Sequence, residues 1–151
     1  MLVQQSAFVR ADSALRSVKE LDQPAHVIGV NTDDSVGVWL KQHLKPAEVR
    51  ATPDYTFGDA VQWVQNGDVI AFAGGRQRLS SGIRGVAGLR MLDDNFYDVP
   101  QTIAVPMDRL DRLQFVDATL AELRSSGFLA ESVARSGIEG LMVARAAEQD
   151  R

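Results

Sequence analysis

The stretch His26-Val27-Ile28-Gly29-Val30-Asn31-Thr32-Asp33-Asp34-Ser35-Val36-Gly37-Val38-Trp39-Leu40 decides how this chain folds. Val27 to Val30 is a short apolar run bounded by polar residues, which reads as a buried strand, and Val36, Trp39 and Leu40 then recur at helical spacing. A strand, a polar turn and a helix start make the kind of corner at which open α/β sheets hold small ligands. Asp33, Asp34 and Ser35 are therefore candidate ligand contacts. The competing reading needs no ligand: Asp34 or Ser35 caps the helix, because a short polar side chain there accepts a bond from a free N–H of the first turn.

Extended and helical patterns alternate outward from that corner. Ala7-Phe8-Val9-Arg10 reads as a strand, with a brief helix around Arg16 to Glu20. The helix opened by Ser35 runs to Leu44 and must stop before Pro46. Glu48 to Ala51 is a short strand. Phe57, Val61 and Val64 mark a helix that Gly67 ends, and Val69 to Ala73 is a buried strand. Leu79 and Ile83 lie on a further helix, Leu89 to Leu92 is extended, and Gln101 to Val105 alternates as a strand closed by Pro106. A helix from about Asp108, as N-cap, to Ser126 carries a stripe of Leu110, Leu113, Val116, Leu120 and Leu123. A last helix covers Phe128 to Ser136. This order predicts an α/β fold with a mainly parallel open sheet and helices on both faces.

With 151 residues, 45% hydrophobic and 24% charged, the chain suits one α/β domain over 1–151 with a real core. A net charge of −4 and scattered arginines speak against a nucleic-acid surface. The absence of cysteine excludes disulfides, thiolate metal sites and a cysteine nucleophile. No run approaches the roughly 20 apolar residues that span a bilayer. Met1 to Gln5 lacks the pattern of a secretory signal, so a cytoplasmic location is expected if Met1 is the natural start.

Five pieces in order carry a resemblance: Phe8-Val9-Arg10-Ala11-Asp12-Ser13, Val27-Ile28-Gly29-Val30, Asn66-Gly67-Asp68-Val69-Ile70-Ala71-Phe72-Ala73-Gly74, Thr102-Ile103-Ala104-Val105-Pro106 and Ser125-Ser126-Gly127-Phe128. Together they resemble the second lobe and C-terminal helices of the type II periplasmic solute-binding proteins, family 3, the amino-acid-type receptors of ABC importers. The resemblance implies hinge-type strands at 7–10 and 101–105, a lobe at 26–92 and C-terminal helices at 108–137, with the first lobe missing. It implies a periplasmic role, an amino-acid-like polar solute and ABC-transporter membrane subunits as partners. The C-terminal helices would lack their usual cover, and large apolar patches drive association, so a homo-oligomer such as a dimer is expected; the alternative is that these helices fold onto the lobe. Where the family places a Gly and a Ser or Thr for the ligand carboxylate, this chain has Asp33 and Asp34, with Ser35 next. Two carboxylates there repel an anion. The family's amine-binding Asp aligns with Ile70, and Asp68 lies at the strand's outer end. Gly74-Gly75-Arg76-Gln77 follow the strand end that faces the cleft, making Arg76 and Gln77 the remaining polar candidates, against a reading of Arg76 as a solvated surface residue.

Enzyme readings find less. His26 and His43 have no nucleophile or metal-ligand partner at a telling spacing, so no catalytic residue, metal or cofactor is assigned. Gly82-Ile83-Arg84-Gly85-Val86-Ala87-Gly88 lacks the Lys and the spacing of a P-loop. Asp93-Asp94-Asn95 reads as a solvated loop, Trp39 and Trp63 as packing residues, and Glu148 to Arg151 as a frayed tail. The expected function is small-solute binding within an ABC importer receptor; the alternative is a repurposed lobe that acts by self-association or partner binding.

Overall fold

One strand organises the sheet. In the computed structural model, which describes residues 1–52 and 56–144, β1 (Leu2–Arg10) pairs antiparallel with β4 (Ala71–Gly75), β5 (Leu89–Met91), β6 (Tyr97–Pro100) and β7 (Leu141–Met142). Beyond β4 lie β2 (Val27–Asn31) and β3 (Glu48–Thr52), so the main path runs β3-β2-β4-β1-β5. The strands β3, β2 and β4 are parallel, whereas every pairing of β1 is antiparallel. The open α/β sheet is as expected, but it is mixed rather than mainly parallel. A strand that enters beside β4 and runs against it was not separable in the sequence from one that runs with it.

Alternation along the strands feeds two apolar layers, one on each face. Ala7, Val9, Ile28, Val30, Ala71 and Ala73 pack with Val36 and Leu40 of α1 (Ser35–His43) and with Val18 and Leu21 of a 3-10 turn (Val18–Leu21). Phe8 and Phe72 stack at 5.9 Å on the other face. There they meet Ala60 and Val64 of α2 (Phe57–Asn66) and Leu79 and Ile83 of α3 (Arg76–Ile83). Helices thus cover both faces. Each large apolar side chain so enclosed contributes about 1.5–3 kcal/mol.

Local chemistry sets the helix ends. Asp34 is the N-cap of α1, its carboxylate accepting from the Val36 N–H at 3.2 Å. A Thr56–Asp59 capping box opens α2, and Gly67 closes it with a left-handed φ of 81°.

The C-terminal third departs from the expected pattern. Residues 101–105 form no strand; the strand lies earlier, at β6, where β1 offers its Leu2–Gln5 edge. The long helix is α4 (Leu110–Ser125), entered through Arg109 without a side-chain cap rather than through Asp108. It packs on α5 (Phe128–Ser136), and no residue of either helix is buried. Leu110 is 67% exposed, Phe115 71% and Phe128 50%. The anticipated tail at Glu148 to Arg151 lies outside the described residues.

Candidate functional site

The parallel strands β2, β3 and β4 end at the same edge of the sheet, and the polar candidates gather there. The register that sets Ile28 beside Ala71 and Gly29 beside Phe72, carried forward, brings Thr32 level with Gly75. The β2–α1 turn and the β4–α3 junction are therefore neighbours.

A small pocket of about 160 Å³ occupies the β2–α1 corner, lined by Asn31, Thr32, Asp33, Asp34 and Lys41 among others. Asp33 bends the chain through a left-handed φ of 65°. Aspartate tolerates that region better than most residues, and such bends concentrate where a site needs a set geometry. Its exposed carboxylate takes part in no hydrogen bond or ion pair among the described residues. Asp34, by contrast, is engaged in its cap, so the two carboxylates that the sequence offered as a pair have different work. Ser35 is the exposed first residue of α1.

Two threonines that sequence reading did not single out complete the corner. Thr32 donates its N–H at 3.1 Å and its hydroxyl at 2.5 Å to the Thr52 carbonyl. The Thr52 hydroxyl is itself buried and has no partner among the described residues. The only sequence signal for either was a threonine at each parallel strand end.

Arg76 is neither a cleft-facing contact nor a solvated surface residue. It is 6% exposed, with its guanidinium turned under the sheet edge. Nε donates to Asn95 Oδ1 at 2.7 Å, Nη2 to the Leu92 and Asp94 carbonyls at 2.7 Å each and to Ser6 Oγ at 3.2 Å, and Nη1 to Glu139 at 2.9 Å. A buried arginine is tolerated only when its donors are matched in this way. Gln77, the next residue, points elsewhere: with Phe57, Ser81 and Ile138 it lines an open pocket of about 740 Å³ between α2, α3 and the C-terminal segment. The structure therefore gathers Asp33 and Asp34 at one corner, sets Gln77 in a second hollow and places Arg76 beneath the surface.

The remaining polar groups have structural partners. The Asp94 carboxylate accepts from Ser17 Oγ at 2.7 Å and the Val18 N–H at 2.8 Å. Residues 93–95 are thus a bracket for the 3-10 turn and for Arg76, not a solvated loop. His26 Nδ1 lies 3.1 Å from the Leu21 carbonyl, and the exposed His43 ring stacks on Trp39 at 3.9 Å. Trp39 also stacks on Tyr97, and Trp63 packs against the Phe72 layer. Among the described residues no group of three or more His, Cys, Asp or Glu could hold a metal ion, and no helix is long and apolar enough to cross a membrane.

This sheet order with helices on both faces is the fold of a type II periplasmic-binding-protein lobe. No protein-family model and no curated protein sequence matches the chain. Solved structures do. A candidate binding component of an ABC transporter from Wolinella succinogenes DSM 1740, complexed with lysine, superposes with a TM-score of 0.70 at 24% identity, covering 89% of this chain and 59% of that one. An amino acid ABC transporter substrate-binding protein from Streptococcus pneumoniae Canada MDR_19A, bound to L-arginine, gives 0.67 at 20% identity, covering 92% and 60%. An ancestral amino acid-binding protein, precursor of a cyclohexadienyl dehydratase, gives 0.64 at 21% identity over 84% and 54%. These neighbours are mostly binding proteins, and an ancestral cyclohexadienyl dehydratase stands among them. The chain spans little more than half the length of the structures it matches.

Proposed function

We propose that this chain forms one side of a cleft that binds a small, polar, amino-acid-like solute, as part of the substrate-binding component of an ABC-type importer. The observation that carries the reading is the β2–α1 corner: an unpaired carboxylate, Asp33, held at a bend on the ligand-binding edge of a solute-binding fold. Asp33 attracts a cationic group, in keeping with the lysine and arginine bound by two structural neighbours. Asp34 shapes the turn, Ser35 offers a hydroxyl at the helix start, and Arg76 supports the edge from below, while Gln77 faces a separate hollow and is left out of the contact set. No residue is assigned a catalytic part.

The domain reading follows from the same fold. The apolar surface of α4 and α5 is where a first lobe would rest, and that lobe would supply the other side of the cleft. The partners would be the membrane subunits of the transporter, at the extracytoplasmic face. Self-association as the function, the second expectation from the sequence, draws no support from the structural neighbours; the exposed helices call for a cover without specifying a second copy.

Amide shifts recorded during titration with lysine, arginine, glutamine and glutamate test the reading. Saturable changes confined to residues 31–35 and 75–77 are expected with the cationic amino acids, and Asp33→Asn should abolish them. No change at millimolar concentration of any of the four, or equal changes with glutamate, would overturn it.

A further inference from the structure

The helical pair α4–α5 has little hold on the sheet. An apolar gap of about 620 Å³ separates Met1 and Ile103 from Val116, Leu120 and Leu129, and a second of about 250 Å³ lies between Met1 and Val133 of α5. No residue of α4 or α5 is buried, so burial does not hold this pair in place. Its attachment is the short segment after α5. There β7 pairs with Leu2 and Val3, and the Gln4 N–H donates to the Gly140 carbonyl at 2.9 Å. Glu139 receives Arg76 Nη1 at 2.9 Å on one oxygen and Ser80 Oγ at 2.6 Å on the other.

The two ends of the Arg76 contact differ. Four of its bonds run to Ser6, Leu92, Asp94 and Asn95 within the lobe. The fifth alone reaches the C-terminal segment. The Arg76 side chain is 7% exposed and that of Glu139 is 52% exposed, so one end is built into the fold and the other is open to water. Gly140 is shaped to this contact, since a Cβ there would stand 2.7 Å from the Arg76 Cβ, at a φ of 81° that side chains rarely adopt.

We propose that Arg76, Ser80 and Glu139 form a strap, and that α4–α5 is an arm fastened to the lobe by this strap instead of by a packed interface. Releasing Glu139 leaves the arm held by the two-residue β7 pairing and the Gln4–Gly140 bond alone, so the arm loosens while the lobe stays intact. Arg76 is the first residue of α3, directly after the sheet edge that bears the candidate site, so the strap also joins that edge to the arm. The inference does not depend on any solute being bound.

Hydrogen exchange of the whole chain, read peptide by peptide, tests it. In Glu139→Gln, amides of 128–142 should exchange about two- to fivefold faster, the scale of losing an ion pair whose carboxylate is half exposed to water. Those of 27–31 and 71–75 should keep their rates. Gly140→Ala, which leaves the ionic partners in place and wedges the segment away from Arg76, should give the same local pattern. Unchanged exchange at 128–142 in both variants would overturn the strap, and so would an equal rise in the lobe, which would mark Glu139 as part of the global fold.

Discussion

The lobe and the helical pair are built from similar residues and end in opposite states. Phe72 in β4 is 1% exposed, Phe115 in α4 is 71% exposed, and α4 carries the apolar residues Leu110, Leu113, Val116, Leu120 and Leu123 besides. The difference lies in what each element meets. The sheet presents two faces, and four short elements close over them; α4 packs on α5 and borders an open gap. Amphipathic spacing makes a face available for burial, and a partner has to bury it.

The largest test of that contrast is truncation of the two rings. Phe72→Ala should destabilise the chain by about 3–5 kcal/mol, whereas Phe115→Ala should change urea-unfolding stability by no more than about 0.5 kcal/mol. Equal losses would mean that α4 is buried in solution and would break the comparison.

A mid-sized effect is expected inside the lobe at Gly82. A Cβ there would meet the Phe57 ring at 2.3 Å, so Gly82→Ala forces the ring aside, with a cost of about 1–3 kcal/mol. Thermal unfolding would read it, and a stabilised variant would show that the α2–α3 contact is looser than this geometry.

Smaller again is the cap at the candidate site. Asp34→Ala should cost about 1 kcal/mol through loss of the Val36 bond, while Asp33→Asn, which removes no bond and keeps a residue that tolerates the left-handed φ of 65°, should leave stability near that of the parent. If Asp33→Asn proved the more damaging, the Asp33 carboxylate would have a structural partner and the division of labour at the corner would fail.

The smallest change concerns acid. The bond from the Ser80 hydroxyl, then the bond and charge of Arg76 and the charge of Arg84, hold the Glu139 carboxyl below the usual glutamate range against the opposing effect of desolvation. A carboxyl depressed in the folded chain contributes above its unfolded value and loses that contribution as pH falls through its folded value. Acidification below the usual glutamate range should therefore loosen residues 128–142 before the lobe. Solvent screening keeps the effect modest. Exchange that rises first in the lobe would contradict it.

The parts of the fold that were legible in the sequence are those set by neighbours in the chain. Phe57, Val61, Val64 and Gly67 gave α2 and its end, and Val27 to Leu40 gave the β2–α1 corner and its aspartate cap. Contacts between distant residues were not legible. β7 is two residues long and exists because Leu2 and Val3 pair with it. The polar residues Gln4, Gln5 and Ser6 hide how far β1 extends, and Ser6 is accommodated there by donating its hydroxyl to the Asp94 carbonyl at 2.7 Å. Arg76 after two glycines looks like a surface residue, and only partners up to 70 positions away turn it inward. Gln101 to Val105 has strand composition without a neighbouring strand, so the composition misled.

The pairing of β1 bears on how the chain reaches this state. β1 precedes every strand that pairs with it, from β4 at Ala71 to β7 at Met142. During synthesis the run Ala7-Phe8-Val9 therefore stays unpaired and apolar until β4, more than 60 residues later, has been made. Pairings across such long separations form slowly, and an exposed strand is open to wrong partners in the interval.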